Sequence, residues 1–182
     1  MVLKKISAAF LLLVVGSVLS ACASGSRASG HLPASPVPLA VYVQPFANLT
    51  TTPDAGRSVT VLLESELRRH REFRVVGAEA LSVPLPATVS ATSLSPVQRE
   101  RLIAAGIGAF LSGSVIEYSY RSELESEPVV GLAWTMTDLS TGRVLLSSSL
   151  SGVGGCFLGC RQTLTSLSGS LIAREVARFV GR

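Results

Sequence analysis

Apolar and polar positions alternate with a period of two in several stretches of this chain and recur at helical spacing in others. Leu39-Ala40-Val41-Tyr42-Val43-Gln44-Pro45-Phe46 alternates and predicts a strand. Its pattern puts Val41, Val43 and Pro45 on one face and Tyr42, Gln44 and Phe46 on the other. Pro45 lacks a ladder donor and marks the strand's end or an edge. A polar loop over 47–54 leads to a helix over 57–71. There Val59, Leu62, Leu63 and Leu67 form the buried stripe, and Glu64 stands four residues before Arg68 on the exposed face. Phe73-Arg74-Val75-Val76 is a short strand. Residues 81–92 include Pro84 and Pro86, show no period and read as a loop. Ser95-Pro96-Val97-Gln98 opens a second helix: serine caps, proline takes the first helical position, and Gln98 completes a capping box. Leu102 and Ile103 are its expected buried residues and Gly106 its stop.

Residues 110–121 and 129–138 read as antiparallel neighbours. Ile116, Tyr118 and Tyr120 alternate with Val115, Glu117 and Ser119 in the first. Val130, Leu132, Trp134 and Met136 share a face in the second. The link between them carries Glu123, Glu125 and Glu127, which read as a solvated hairpin tip. Ser140-Thr141-Gly142 is a turn, residues 143–150 a third strand, and Leu164, Leu167, Leu171, Ile172 and Phe179 mark a final helix. The order β-α-β-α-β-β-β-α predicts an α/β (α+β) fold, a mixed β-sheet packed by helices. Trp134 is the only tryptophan. Its strand position favours the core, with an interface or membrane contact as the alternative.

The first residues follow a different logic. Lys4 and Lys5 precede an apolar run over Phe10 to Val15, and then comes Leu19-Ser20-Ala21-Cys22. Ile6 to Ala21 is interrupted by Ser7, Gly16, Ser17 and Ser20 and is short for a membrane span, which needs roughly 20 apolar residues. The pattern resembles the lipobox of bacterial lipoproteins. That resemblance implies a signal peptide over 1–21, removed before Cys22, and acylation of Cys22. Ala23, where an aspartate favours inner-membrane retention in that family, implies the outer membrane. Residues 22–38, rich in Ser, Ala, Gly and Pro, then read as a lipidated flexible tether reaching about 20–25 Å, and residues 39–182 as one periplasmic domain.

The chain holds 16 basic and 12 acidic residues for a net charge of +4. Lys4 and Lys5 supply two of those charges, and every other basic residue is arginine. So small and scattered an excess does not fit a nucleic-acid surface. Arg68, Arg69, His70 and Arg71 form a local basic cluster that reads as the solvated end of a helix, where cations suit the macrodipole, with contact to lipid headgroups or an acidic partner as the alternative. Beyond Cys22, Cys156 and Cys160 lie in a glycine-rich loop and suit a disulfide in an oxidising compartment, with free thiols as the alternative. The two histidines, His31 and His70, do not stand at metal-ligand spacing from them. Phe157 and Leu158, between the cysteines, are candidates to dip into lipid or pack on a neighbour. No G-x-S-x-G elbow, glycine-rich phosphate loop or positioned acid–base pair is present, so neither catalysis nor a cofactor is expected.

Three segments carry a wider resemblance: "PFANLT" after the first strand, the strand "GSVIEY", and the hairpin "DLSTGRVLLS". Together with the element order they resemble the periplasmic domain of the CsgG/LpoB/PelC-type outer-membrane lipoproteins, over residues 40–180. The short acidic link over 121–128 does not suit a pore-forming hairpin of the CsgG type, whose strands need about 9–11 membrane-facing residues each. The short tether does not suit an LpoB-like activator of a peptidoglycan synthase, which remains the runner-up. In size and layout the chain resembles the PelC-like polysaccharide-export lipoproteins. That implies a homo-oligomeric ring beneath the outer membrane, with a β-barrel exporter and the exported polysaccharide as partners.

Overall fold

The computed structural model describes residues 26–30, 32, 37–77, 85, 94–121, 127–155 and 162–181. In chain order these form β1 (Ser26–Gly30), β2 (Leu39–Val43), β3 (Ala47–Asn48), α1 (Ala55–Leu67), β4 (Phe73–Val76), α2 (Pro96–Ala104), β5 (Ala109–Arg121), β6 (Glu127–Asp138), β7 (Val144–Val153) and α3 (Leu164–Val180). The strands make one 7-stranded mixed sheet in the order β1-β7-β6-β5-β2-β4, with β3 pairing β5. β4, β2, β3 and β5 run parallel, and β5, β6, β7 and β1 antiparallel.

The two faces are covered unequally. Helices α1 and α3 pack on the inner face over Val41, Val43, Leu111, Val115, Leu132, Met136, Leu146 and Leu150. Their own stripes are Val59, Leu63 and Leu67 on α1, and Leu167, Leu171, Ile172, Val176 and Phe179 on α3. On the outer face a smaller cluster of Tyr42, Leu94, Leu102, Ile107, Phe110 and Leu139 seats α2 over one corner. The capping box that starts α2 is present. The Gln98 backbone N–H donates to Ser95 Oγ at 3.2 Å, and the Ser95 N–H donates to Gln98 Oε1 at 2.9 Å. Leu102 is buried, but Ile103 is 44% exposed, against expectation. Neighbouring helix positions point about 100° apart, and a helix resting on a sheet corner buries only a narrow stripe.

Three further departures from strict alternation have local causes. The predicted first strand breaks at Pro45. Beyond it Phe46 turns to the inner face, beside Val41 and Val43, instead of following Tyr42 outward. Its backbone N–H donates to Thr60 Oγ1 at 2.9 Å, which ties the break to α1. In β5 the register against β6 shifts between Val115 and Glu117, so Ile116 is an extra residue. Val115 and Tyr118 therefore both face inward, where alternation puts them on opposite faces. Helix α1 begins at Ala55, ahead of the expected Arg57, and stops at Leu67, so the basic cluster lies on a turn.

The fourth departure is β1. Residues 26–30, read as part of a flexible tether, form an edge strand on β7, with Ser26 opposite Leu150 and Gly30 opposite Leu146. Small side chains carry no apolar pattern, but they let the backbone lie close along an edge that would otherwise show unpaired N–H and C=O groups. Ala28 turns inward onto the core.

Phe46 lies across Gly113 and tilts against Trp134, ring centroids 6.3 Å apart. A methyl group at Gly113 would sit 2.5 Å from Phe46 Cζ and 2.6 Å from the Ala133 carbonyl oxygen. Gly113→Ala is expected to cost about 1–3 kcal/mol, read from urea unfolding at constant slope. At the β6–β7 turn, Asp138 Oδ1 accepts from Ser140 Oγ at 2.6 Å and from the Thr141 N–H at 2.7 Å. Burial works to raise the Asp138 pKa, but these hydrogen bonds outweigh it and hold the carboxyl below its ordinary value. A depressed folded-state pKa stabilises above the unfolded-state value, and the benefit is lost as pH falls through the folded one. The stability gap between the wild type and Asp138→Asn is therefore expected to hold constant above about pH 5 and to shrink below it, as urea titrations across pH would read.

Candidate binding surface

Among the described residues α2 covers only one corner of the outer face, and the rest lies open. A trough of about 620 Å³ runs across β1, β7, β6 and β5. Arg27 and Ser29 form one side of it, and Gln44, Pro45 and Ala47 the other. Ser147, Ser149, Ala133, Thr135, Ser112 and Ser114 make the floor between. The register puts these residues in rows: Arg27 opposite Ser149, Ser149 opposite Ala133, Ala133 opposite Ser114. Small side chains keep the floor low, and the break at Pro45 raises the far wall.

Its chemistry is that of hydroxyls, one amide and one guanidinium. Among the lining residues there is no carboxylate, histidine or cysteine, so the trough offers hydrogen bonds and shape and no proton-transfer pair. Gln44 is 1% exposed and forms part of the buried wall. On the inner side of the same strands, Ser148 donates to Glu175 Oε1 at 3.0 Å, and Glu175 Oε2 pairs with Arg178 at 3.1 Å. The first bond holds α3 against β7 beneath the trough, and the second, within α3, neutralises the buried carboxylate.

Trp134 is 4% exposed, and its ring packs on Phe46 within the inner core. Cys22, Cys156, Phe157, Leu158, Cys160, Glu123, Glu125 and His31 lie outside the described residues. Glu127 opens β6 and is half-buried. In the basic cluster, Arg68 lies 3.1 Å from Glu64, Arg69 3.6 Å from Glu66, Arg71 3.6 Å from Glu72, and His70 3.4 Å from Glu66. Each of its charges thus already faces a carboxylate. Among the described residues, no group of three His, Cys, Asp or Glu side chains is placed to hold a metal ion, and no helix is long and apolar enough to cross a membrane. Sequence reasoning missed the trough. Its signal was there in Ser112 and Ser114, and in Ser147 and Ser149: hydroxyls at period two, flanked at the alternate positions by Leu111, Val115, Leu146 and Leu150, with Gly113 and Ser148 between them.

Neighbouring positions test which face is open. Ser149 is exposed on the outer side, whereas Ser148 is 4% exposed on the inner. In urea unfolding, Ser149→Trp is expected to leave stability within about 0.5 kcal/mol, and Ser148→Trp to cost about 1–3 kcal/mol or more through overpacking.

No protein-family model and no curated protein matches the sequence. Solved structures do. A variant of PelC from Paraburkholderia phytofirmans, a dodecamer, is 27% identical, with a TM-score of 0.67 over 88% of this chain and 100% of that one. A second crystal form of the PelC dodecamer is 25% identical, with a TM-score of 0.66 over 88% of this chain and 99% of that one. The lipoprotein GNA1162 from Neisseria meningitidis, 17% identical, shares the fold with a TM-score of 0.54 over 78% of this chain and 99% of that one. The structural neighbours of this chain are thus PelC and related lipoproteins, the superfamily to which the motifs after β2, in β5 and at the β6–β7 turn pointed.

Proposed function

We propose that this chain is an outer-membrane-anchored periplasmic lipoprotein that assembles with copies of itself into a ring and serves, without catalysis, in polysaccharide export of the PelC kind. The observation that carries this reading is the likeness to a PelC dodecamer at 27% identity over that structure's whole length. The Leu19-Ser20-Ala21-Cys22 segment supports the anchor. A lipid on Cys22 would hold each copy at the membrane, and several acyl chains would make the attachment stable, since each buried CH₂ contributes about 0.8 kcal/mol.

A ring needs two different surfaces on every copy, one docking into the other. The open outer face over β5 and β6, floored by Ser112, Ser114, Ala133 and Thr135, provides one such surface, low enough for close approach of another backbone. The ring would guide an exported polysaccharide to a separate β-barrel in the outer membrane, because the link between β5 and β6 is too short to span a bilayer itself.

The test uses the full acylated protein in detergent, with mass read by light scattering over a concentration series. A discrete large oligomer, or growth towards one, is expected, and Ser114→Trp should lower its mass by blocking the floor over β5 and β6. A strict monomer at every concentration would remove the ring. Cys22→Ser is expected to move the protein from the membrane to the soluble fraction. Persistence on the membrane would remove the anchor.

A further inference from the structure

Strand β1 changes how the domain hangs from its anchor. Were residues 22–38 a free tether, Cys22 would wander about 20–25 Å from the start of β2. With β1 paired from Ser26, Cys22 stands four residues ahead of a fixed strand, and a fully extended chain covers at most about 14 Å in that span. The anchor is thus fastened to one particular edge of the sheet. The opposite edge is β4, five strands across, or about 24 Å away at normal strand spacing.

We propose that the β1–β7 edge is the surface that rests on phospholipid headgroups, and that the basic corner formed by the end of α1 and β4 faces away from the membrane. This rests on the acylation of Cys22. The chemistry of the two edges agrees with the leash. Arg27 is the only charged residue in β1 and β7, and it is exposed beside Ser29 and Ser149. A guanidinium and hydroxyls are donors for a headgroup phosphate, and no carboxylate on either strand repels it. The far corner is richer in arginine, but Arg68, Arg69 and Arg71 each lie within 3.6 Å of a glutamate, and Arg74 donates to the Gly106 carbonyl at 3.0 Å. Composition alone nominates the arginine cluster as the lipid contact; the leash and the pairing of its charges nominate β1.

The experiment incorporates the photo-crosslinker p-benzoylphenylalanine at the position of Ser29 or Ser149, or, at the far corner, of Arg69 or Arg71. The acylated full chain is placed in vesicles of phosphatidylethanolamine with phosphatidylglycerol, and lipid adducts are counted by mass spectrometry. With about 24 Å between the two edges, the adduct yield at 29 and 149 is expected to exceed that at 69 and 71 by about fivefold or more. Two variants should shrink that ratio towards one. Arg27→Pro with Ala28→Pro unpairs β1, because N–H groups alternate along a strand and one of the two points at β7. A Gly-Ser insertion between Ala23 and Ser24 lengthens the leash without touching the fold. Equal yields at both edges of the membrane-bound wild type, or more at the far corner, would overturn the proposal, as would a ratio that neither variant changes. Cys22→Ser separates the premise from the inference. If that variant stays on the membrane, the acylation reading falls and the inference with it. If it leaves the membrane, acylation stands and the ratio alone decides which edge meets lipid.

Discussion

The contact of Phe46 with Gly113 and Trp134 joins the two halves of this molecule. One half is parallel, β4-β2-β5 with β3; the other is antiparallel, β5-β6-β7-β1. They share β5, and the aromatic pair is bolted across it. Phe46 reaches that place because Pro45 breaks β2 and lets the chain re-pair with β5 as β3. The break also fixes α1: Thr60 receives the Phe46 N–H and donates to the Gly56 carbonyl at 2.8 Å. A methyl group at Gly56 would sit 2.3 Å from the Phe46 carbonyl oxygen, so helix and break touch backbone to backbone. One proline-driven kink thus sets the sheet's join, the seat of α1 and the raised wall of the trough.

What the sequence shows depends on how local the cause is. The capping box of α2 was legible because all its parts lie within four residues. The face shared by Val130, Leu132, Trp134 and Met136 was legible because β6 keeps its register over that run. Where a partner strand decides, alternation misled. It placed Phe46 with Tyr42 and separated Val115 from Tyr118, since neither the kink nor the bulge shows until β5 and β6 pair. Strand β1 was invisible for the same reason: Ser-Arg-Ala-Ser-Gly has no apolar period, and what makes it a strand is the open edge of β7, distant in sequence. The trough needed the whole sheet to be assembled before its serines met. The family resemblance was legible because it rests on order and motifs, which survive such local shifts.

The unequal cover of the sheet gives the molecule its functional character. A face closed by two helices has finished its packing. Among the described residues, a face of Ser, Thr and Ala with one helix at its corner has not, and its small polar side chains let it meet water without a large apolar patch. Such a surface trades hydrophobic gain for close approach. That suits contacts repeated around an assembly, where each need be only moderately strong because closure adds up the copies.

Strand β1 also orders events in time. Among the described residues it is the first strand and pairs with β7, the last, so the edge cannot close until most of the chain has emerged. Contacts this distant in sequence form late, after the loop between them has been closed by the rest of the fold. Until then the outer edge of β7 stands unpaired, with its backbone N–H and C=O groups turned to solvent. A segment with no apolar period to seat it thus becomes the closing piece of the sheet, set in place by strands that are already paired.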